Sequence, residues 1–64
     1  MLTDTRVIIQ RLKKEGWKRV RAKGSHHQFK HPTKPGRVTV AHPKKDIPIK
    51  TARDIYISAG WEFD

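Results

Sequence analysis

The chain has no cysteine, few acidic residues and no long apolar run, and each absence narrows the range of possible functions. Without cysteine it can form neither a disulfide framework nor a thiolate metal site, which suits a reducing cytosol. No apolar run approaches the roughly 20 residues that cross a membrane. Residues 1–10 also lack the basic start and apolar stretch of a signal peptide. We therefore expect a cytoplasmic protein.

The scarcity of acidic side chains leaves the chain strongly basic. Its 6 Asp and Glu stand against 15 Lys and Arg, for a formal net charge of +9. Such a charge attracts polyanions at long range, so an acidic partner is expected: RNA, DNA or an acidic protein. A membrane surface is the weaker alternative, because the first predicted helix is short and its apolar face is a core face. The expectation is therefore a partner in solution and no membrane.

The length of 64 residues predicts one domain over residues 1–64. A chain of this size buries only about 60% of the surface that its unfolded form exposes. The core must therefore be small, with no room for a deep cofactor pocket, and we expect no cofactor.

A helix is predicted at each end of the chain. Thr3 or Thr5 can cap the first helix and Gly16 closes it. Thr51 and Asp54 have the form of a capping box for the second, which Gly60 ends. Apolar residues recur at near-helical spacing in both: Val7, Ile8, Ile9 and Leu12, then Ala52, Ile55, Tyr56 and Ala59.

Three strands are predicted between the helices, over residues 17–21, 26–30 and 37–41. The first two are joined by a turn at residues 22–25, and a loop rich in proline and glycine precedes the third. Short connections favour antiparallel pairing, and the order α-β-β-β-α predicts an α+β fold. We expect a three-stranded antiparallel sheet with two helices packed on one face.

The second strand carries the most informative pattern, Gly24-Ser25-His26-His27-Gln28-Phe29. Side chains alternate in a strand, so His27 points with Phe29 while His26 points the other way. If Phe29 faces the helices, His26 stands on the open face, where a substrate can reach it. Either imidazole can be a polar strand residue or a proton-transfer group. Metal binding is the weaker third interpretation, because neighbouring strand histidines face apart and no ligand set is complete.

A basic surface with one histidine suits RNA cleavage. The 2′-hydroxyl of RNA is a built-in nucleophile that DNA lacks, so a base, an acid and nearby cations suffice without a metal. Candidates for phosphate contact are Arg21, Lys23, Lys30 and Arg37, each of which can also be a solvated surface charge. Trp17 and Trp61 are predicted to be core residues rather than base-stacking platforms.

With these residues in view, nearly the whole chain resembles the HicA toxins, the small mRNA interferases of HicA-HicB toxin-antitoxin modules. The resemblance rests on four segments in order: Leu12-Lys13-Lys14-Glu15-Gly16-Trp17, Lys23-Gly24-Ser25-His26-His27-Gln28-Phe29, Val38-Thr39-Val40-Ala41-His42, and Thr51-Ala52-Arg53-Asp54-Ile55 followed by Ala59-Gly60. It implies a fold similar to double-stranded-RNA-binding domains and metal-independent mRNA cleavage. It also implies a HicB-like antitoxin partner.

The resemblance further implies an essential histidine in the Gly-Ser-His element. His26 matches the position that most members fill, and His27 the position used by some, while strand alternation favours His26. Ser25 and its turn are expected to position His26 and to lie against the RNA. The family often has proline where this chain has Ala41, a departure that removes no reactive group. His42 is either a second proton-transfer partner or a loop residue, and we favour the loop residue.

Three hypotheses follow. The first is an endoribonuclease toxin that inhibits translation and growth by cutting mRNA with histidine acid-base chemistry. The second is a non-catalytic RNA-binding module of the same fold, with structural histidines. The third is a small DNA-binding protein, which is disfavoured because neither predicted helix has a second at helix-turn-helix spacing.

Overall fold

The computed structural model describes residues 1–63. Its elements are α1 (Thr5–Lys14), β1 (Lys18–Lys23), β2 (His26–Lys30), β3 (Val38–Ala41) and α2 (Ile49–Ala59). The strands form one antiparallel sheet in the order β1-β2-β3. The predicted α+β class and the α-β-β-β-α order are confirmed. Within residues 1–63 neither helix is long and apolar enough to cross a bilayer.

Helix α1 begins at a different cap from the one predicted. Asp4 is the N-cap, and its carboxylate accepts a hydrogen bond of 2.9 Å from the backbone N–H of Arg6. Thr3 and Thr5 do not cap the helix, so that prediction was wrong. The reason is tertiary: Thr5 is fully buried and its hydroxyl bonds to the main chain of Lys44.

The end of α1 and the start of β1 are set by one closing turn. Gly16 has a φ of +99°, which glycine adopts without steric cost and which suits the residue after a helix. The N–H of Trp17 then donates to the carbonyl of Leu12 at 2.9 Å. Trp17 is thereby tied to the helix, which is why β1 begins at Lys18 and not at residue 17. Of the predicted apolar stripe, Ile8, Ile9 and Leu12 are buried whereas Val7 is 41% exposed.

Helix α2 starts before the predicted capping box. Its N-cap is Pro48, which makes no side-chain cap bond, and the first helical residue is Ile49. The fixed φ of proline suits a helix start. Thr51 and Asp54 therefore lie inside the helix, and the capping-box prediction was wrong. The predicted end at Gly60 is confirmed, with a φ of +75°.

The core lies between the helices and one face of the sheet. The sheet contributes Phe29, Val38 and Val40, all fully buried. Helix α2 contributes its whole predicted stripe and α1 contributes its stripe without Val7, and Trp17 and Trp61 are core residues as predicted. The opposite sheet face has no helix against it, so its side chains are open to solvent.

The chain after α2 is fastened to α1 through Glu15. The indole N–H of Trp61 donates to Oε1 of Glu15 at 2.7 Å, and Nε of Arg11 donates to Oε2 at 3.0 Å. The Arg11 guanidinium also lies 4.1 Å from the centre of the Trp61 ring. Burial acts to raise the pKa of Glu15, but these two hydrogen bonds together with the positive charges of Arg11 and Lys34 hold the pKa below its usual value. Glu15 is therefore a charged acceptor that orders both ends of the domain.

Candidate active site

The two neighbouring histidines of β2 lie on opposite faces of the sheet, as strand alternation predicts. Phe29 is fully buried on the helix side, and His26 is exposed on the open side. His26 pairs with Lys23 of β1 and Ala41 of β3. On this face it lines a groove of about 550 Å³ together with Arg21, Lys23, Gly24 and Gln28.

The predicted phosphate-contact residues are all exposed, but only some of them line the groove. Arg21 and Lys23 line it beside His26. Arg37 joins it indirectly, because its Nη1 donates to Oε1 of Gln28 at 2.9 Å. Lys30 pairs with Lys18 at the other end of the β1-β2 ladder. The open face is therefore basic along its length.

Ser25 lies in the turn before β2, with an exposed side chain. Its carbonyl accepts a 2.7 Å hydrogen bond from the backbone N–H of His42. The contact continues the β2-β3 ladder by one step beyond the His26-Ala41 pair. Ser25 therefore helps to place His42 through its main chain.

His27 faces the helix side, where the structure brings it to His42. The two ring centroids are 5.4 Å apart and the ring planes are nearly perpendicular, at 88°. The sheet register explains the contact. His27 pairs with Val40, and the residue two positions further along the chain, just beyond the end of β3, is its diagonal neighbour on the same face. His42 is that residue, and both rings are half-buried.

The pairing makes His42 part of the candidate site, whereas the sequence favoured a loop role for it. Its Nδ1 lies 3.1 Å from the hydroxyl oxygen of Thr5, at the start of α1. The signal that could have found it is the alternation of β3, continued one residue past Ala41.

Positively charged side chains lie near His27. Nη1 of Arg19 lies 3.3 Å from Nδ1 of His27. A guanidinium only donates, so Nδ1 offers a lone pair and the ring is neutral. Desolvation of the half-buried ring lowers the pKa of His27, and the charges of Arg19, His42 and Lys13 lower it further. His27 is therefore a neutral imidazole near pH 7, the form that accepts a proton.

Arg19 and Lys13 were not among the sequence candidates. Arg19 pairs with Phe29, which puts it on the helix side, but a bulge between Arg19 and Arg21 shifts the β1 register. Such an irregularity reverses the faces of the residues beyond it. Arg19 lies two residues after the buried Trp17, so alternation places it on the helix side, whereas the bulge moves Arg21 and Lys23 to the open face.

His31 has a structural role. Its Nδ1 accepts from the backbone N–H groups of Thr33 and Lys34 at 3.1 and 3.2 Å. Its Nε2 therefore carries the proton and donates to the carbonyl of Glu15 at 2.9 Å. The ring also packs edge-on against Trp17, with centroids 5.3 Å apart. Both nitrogens are thus used in holding the β2-β3 loop to the end of α1.

No three or more His, Asp or Glu side chains within the described residues 1–63 are grouped so that they could hold a metal ion. His26 and His27 face apart, and His31 is bonded through both nitrogens. Two adjacent imidazoles such as those of His27 and His42 can accept and donate protons.

Comparison with known proteins identifies one family. No curated protein matches the chain. A family model described as HicA toxin of bacterial toxin-antitoxin matches residues 5–61, a segment that contains both helices, all three strands and the histidine pair. A toxin of this kind implies a cognate antitoxin as its partner. The chain therefore belongs to the HicA toxin family of bacterial toxin-antitoxin modules.

Proposed function

We propose that this toxin is a metal-independent endoribonuclease that cuts mRNA in the cytoplasm and thereby stops translation and growth. The observation that carries the proposal is the contact between His27 and His42, whose rings lie 5.4 Å apart beside cationic side chains. Cleavage of RNA through its 2′-hydroxyl needs one proton acceptor and one proton donor, and two adjacent imidazoles can supply both.

The geometry favours His27 over His26, although strand alternation alone favours His26. Among residues 1–63, the only two histidine rings in contact are those of His27 and His42. His26 stands in the groove of the opposite face, with Arg21, Lys23 and Gln28 around it. We therefore assign proton transfer to His27 and His42, and RNA contact to His26.

The proposed reaction is a transesterification in which one histidine takes up a proton and the other gives one up. Neutral His27 takes the proton of the 2′-hydroxyl at Nδ1 while O2′ attacks phosphorus. The bond from phosphorus to O5′ breaks, and O5′ takes a proton from the imidazolium of His42. The products are a 2′,3′-cyclic phosphate and a 5′-hydroxyl.

Arg19 has two roles in this scheme. Its guanidinium occupies the Nδ1 lone pair of His27 in the free protein. A phosphate is a stronger partner for a guanidinium than a neutral imidazole is, so bound RNA draws Arg19 away and frees the base. Arg19 then stabilises the charge that develops on phosphorus, with Lys13 adding positive potential.

The histidine pair lies at the end of the sheet where β2 begins and β3 ends, and the open face is proposed to hold RNA that passes around this end to the pair. Its phosphate-contact set is the one read from the sequence: Arg21, Lys23, Ser25, Lys30 and Arg37. Binding by such residues depends on salt and carries little sequence preference. The antitoxin is proposed to be a HicB-like protein that is acidic where it meets this toxin, since a net charge of +9 favours an acidic partner.

The test is incubation of the purified protein with RNA in EDTA. We expect cleavage, products ending in a 2′,3′-cyclic phosphate, and no cutting of the same sequence as DNA. Intact RNA would overturn the proposal. If the intact RNA is nevertheless bound in a salt-dependent way, the non-catalytic RNA-binding module is the better description.

The acid limb of the cleavage profile should lie below pH 6.5. Because the pKa of His27 is lowered from 6.5, the neutral base persists to lower pH than a free imidazole would. The measurement is kcat/KM for a short RNA as a function of pH. Arg19→Gln removes one cause of the lowering and should move the limb upward, whereas the control Lys18→Gln, on the open face, should leave it in place. A limb at or above pH 6.5 in the wild type would contradict the assignment.

A further inference from the structure

Thr5 is the one buried polar residue among the described residues 1–63, with an exposed fraction of 0%. Its hydroxyl oxygen has three polar neighbours. The backbone N–H of Lys44 lies 2.8 Å away, the carbonyl oxygen of Lys44 3.0 Å away, and Nδ1 of His42 3.1 Å away. Since the residue is fully buried, water cannot take the place of any of them.

Only one position of the Thr5 hydroxyl hydrogen is consistent with these three neighbours. If it pointed at His42, the hydroxyl and carbonyl oxygens would stand 3.0 Å apart with lone pairs facing and no hydrogen between them. The hydrogen must therefore point at the carbonyl of Lys44. The Lys44 N–H and His42 then both donate to the hydroxyl oxygen, which uses its two lone pairs.

From this we infer that Thr5 is a positioning residue, which fixes the proton of His42 on Nδ1 and so leaves Nε2 as the atom that exchanges protons with RNA. The catalytic consequence rests on the proposed function, whereas the tautomer rests on the hydrogen bonds alone. A histidine donates a proton efficiently when a neighbouring residue fixes both its tautomer and the orientation of its ring. In serine proteases a buried aspartate does this for the catalytic histidine. Thr5 does so without a charge.

The experiment uses the full chain labelled with ¹⁵N and compares Thr5→Val, which keeps the shape but not the hydroxyl, with Thr5→Ser, which restores the hydroxyl. Thr51→Val, at an exposed site in α2, is the matched control. Imidazole ¹⁵N shifts report which nitrogen of His42 carries the proton. Thermal melting reports that each variant is folded, and RNA cleavage gives kcat and KM separately.

We expect Nδ1–H at His42 in the wild type, in Thr5→Ser and in Thr51→Val, and loss of this preference in Thr5→Val. The kcat of Thr5→Val should fall about tenfold, with KM little changed. This loss is smaller than the 10²- to 10⁴-fold loss in rate that follows removal of a catalytic acid or base itself. Thr5→Ser should recover most of the kcat.

Two results would overturn the inference: a wild-type His42 with its proton on Nε2, or an unchanged kcat in folded Thr5→Val. If the wild type does not cut RNA, the proposed function fails, and the ¹⁵N shifts still decide whether Thr5 sets the tautomer. If Thr5→Val does not fold, the wild-type and Thr5→Ser shifts decide it.

Discussion

Replacing His27 by alanine is expected to lower the rate of RNA cleavage by about 10²- to 10⁴-fold, the usual contribution of a positioned acid or base. The ring is half-buried near the start of the central strand rather than packed in the core, so the variant should fold. The loss should appear in kcat, because the proton leaves the 2′-hydroxyl only in the transition state. The measurement is single-turnover cleavage of a short RNA, with growth arrest on expression as the readout in cells.

The neighbouring histidines supply the controls. His42→Ala should lose activity on the same scale, and the double variant should lose little more, since groups that act as a unit are not additive. His26→Ala, one residue from His27 but on the open face, should weaken RNA binding and raise KM, while kcat stays close to that of the wild type. The opposite pattern, with activity lost in His26→Ala and kept in His27→Ala, would overturn the assignment and restore the preference that alternation suggested.

Phe29→Ala is expected to destabilise the domain by about 3 to 5 kcal/mol, the usual cost of a large-to-small change in a packed core. Phe29 is fully buried at the centre of the sheet, paired with Val38 and two residues from His27. Native proteins are stable by only about 0.05 to 0.15 kcal/mol per residue, which is about 3 to 10 kcal/mol for a chain of 64 residues. The variant should therefore be close to unfolded at 37 °C and show no toxicity.

Urea denaturation measures the change, and Phe29→Leu should cost less because it leaves a smaller cavity. Val20→Ala is the matched control in the same sheet: Val20 is 52% exposed, and its truncation should change the free energy of unfolding little. An unchanged midpoint for Phe29→Ala would mean that the sheet face is not packed as the structure has it.

Three local structures differ from those that the sequence predicts, because other interactions compete with the local preferences. Thr5 looks like a helix cap because local hydrogen bonding favours threonine there, but the main chain of Lys44 claims its hydroxyl. Trp17 looks like the start of a strand, yet its N–H closes α1. Thr51 and Asp54 have the spacing of a cap, and Pro48 starts the helix earlier. The deciding interaction was a tertiary hydrogen bond for Thr5, the closing turn of α1 for Trp17, and the rigid geometry of proline for the start of α2.

The sequence by itself determined what depends on composition and on neighbours along the chain. Charge counts predict an acidic partner, hydrophobic periods of 3.6 and 2 predict the helices and strands, and alternation separates His26 from His27. The inferences about helices, strands and faces succeed because burial must follow the local repeat of each element, whereas the acidic partner stays a prediction. The four segments in order also pointed to the family that the comparison confirmed.

Only the tertiary structure decided which histidine has a chemical partner. His27 and His42 meet because the β2-β3 register puts them on the diagonal of one face. Thr5 reaches His42 across 37 residues of chain, and Arg19 reaches His27 past a bulge in β1. Register, bulges and helix docking are set by the packing of the whole core and not by local spacing. They determine the candidate site, whereas the elements that carry it could be predicted from the sequence.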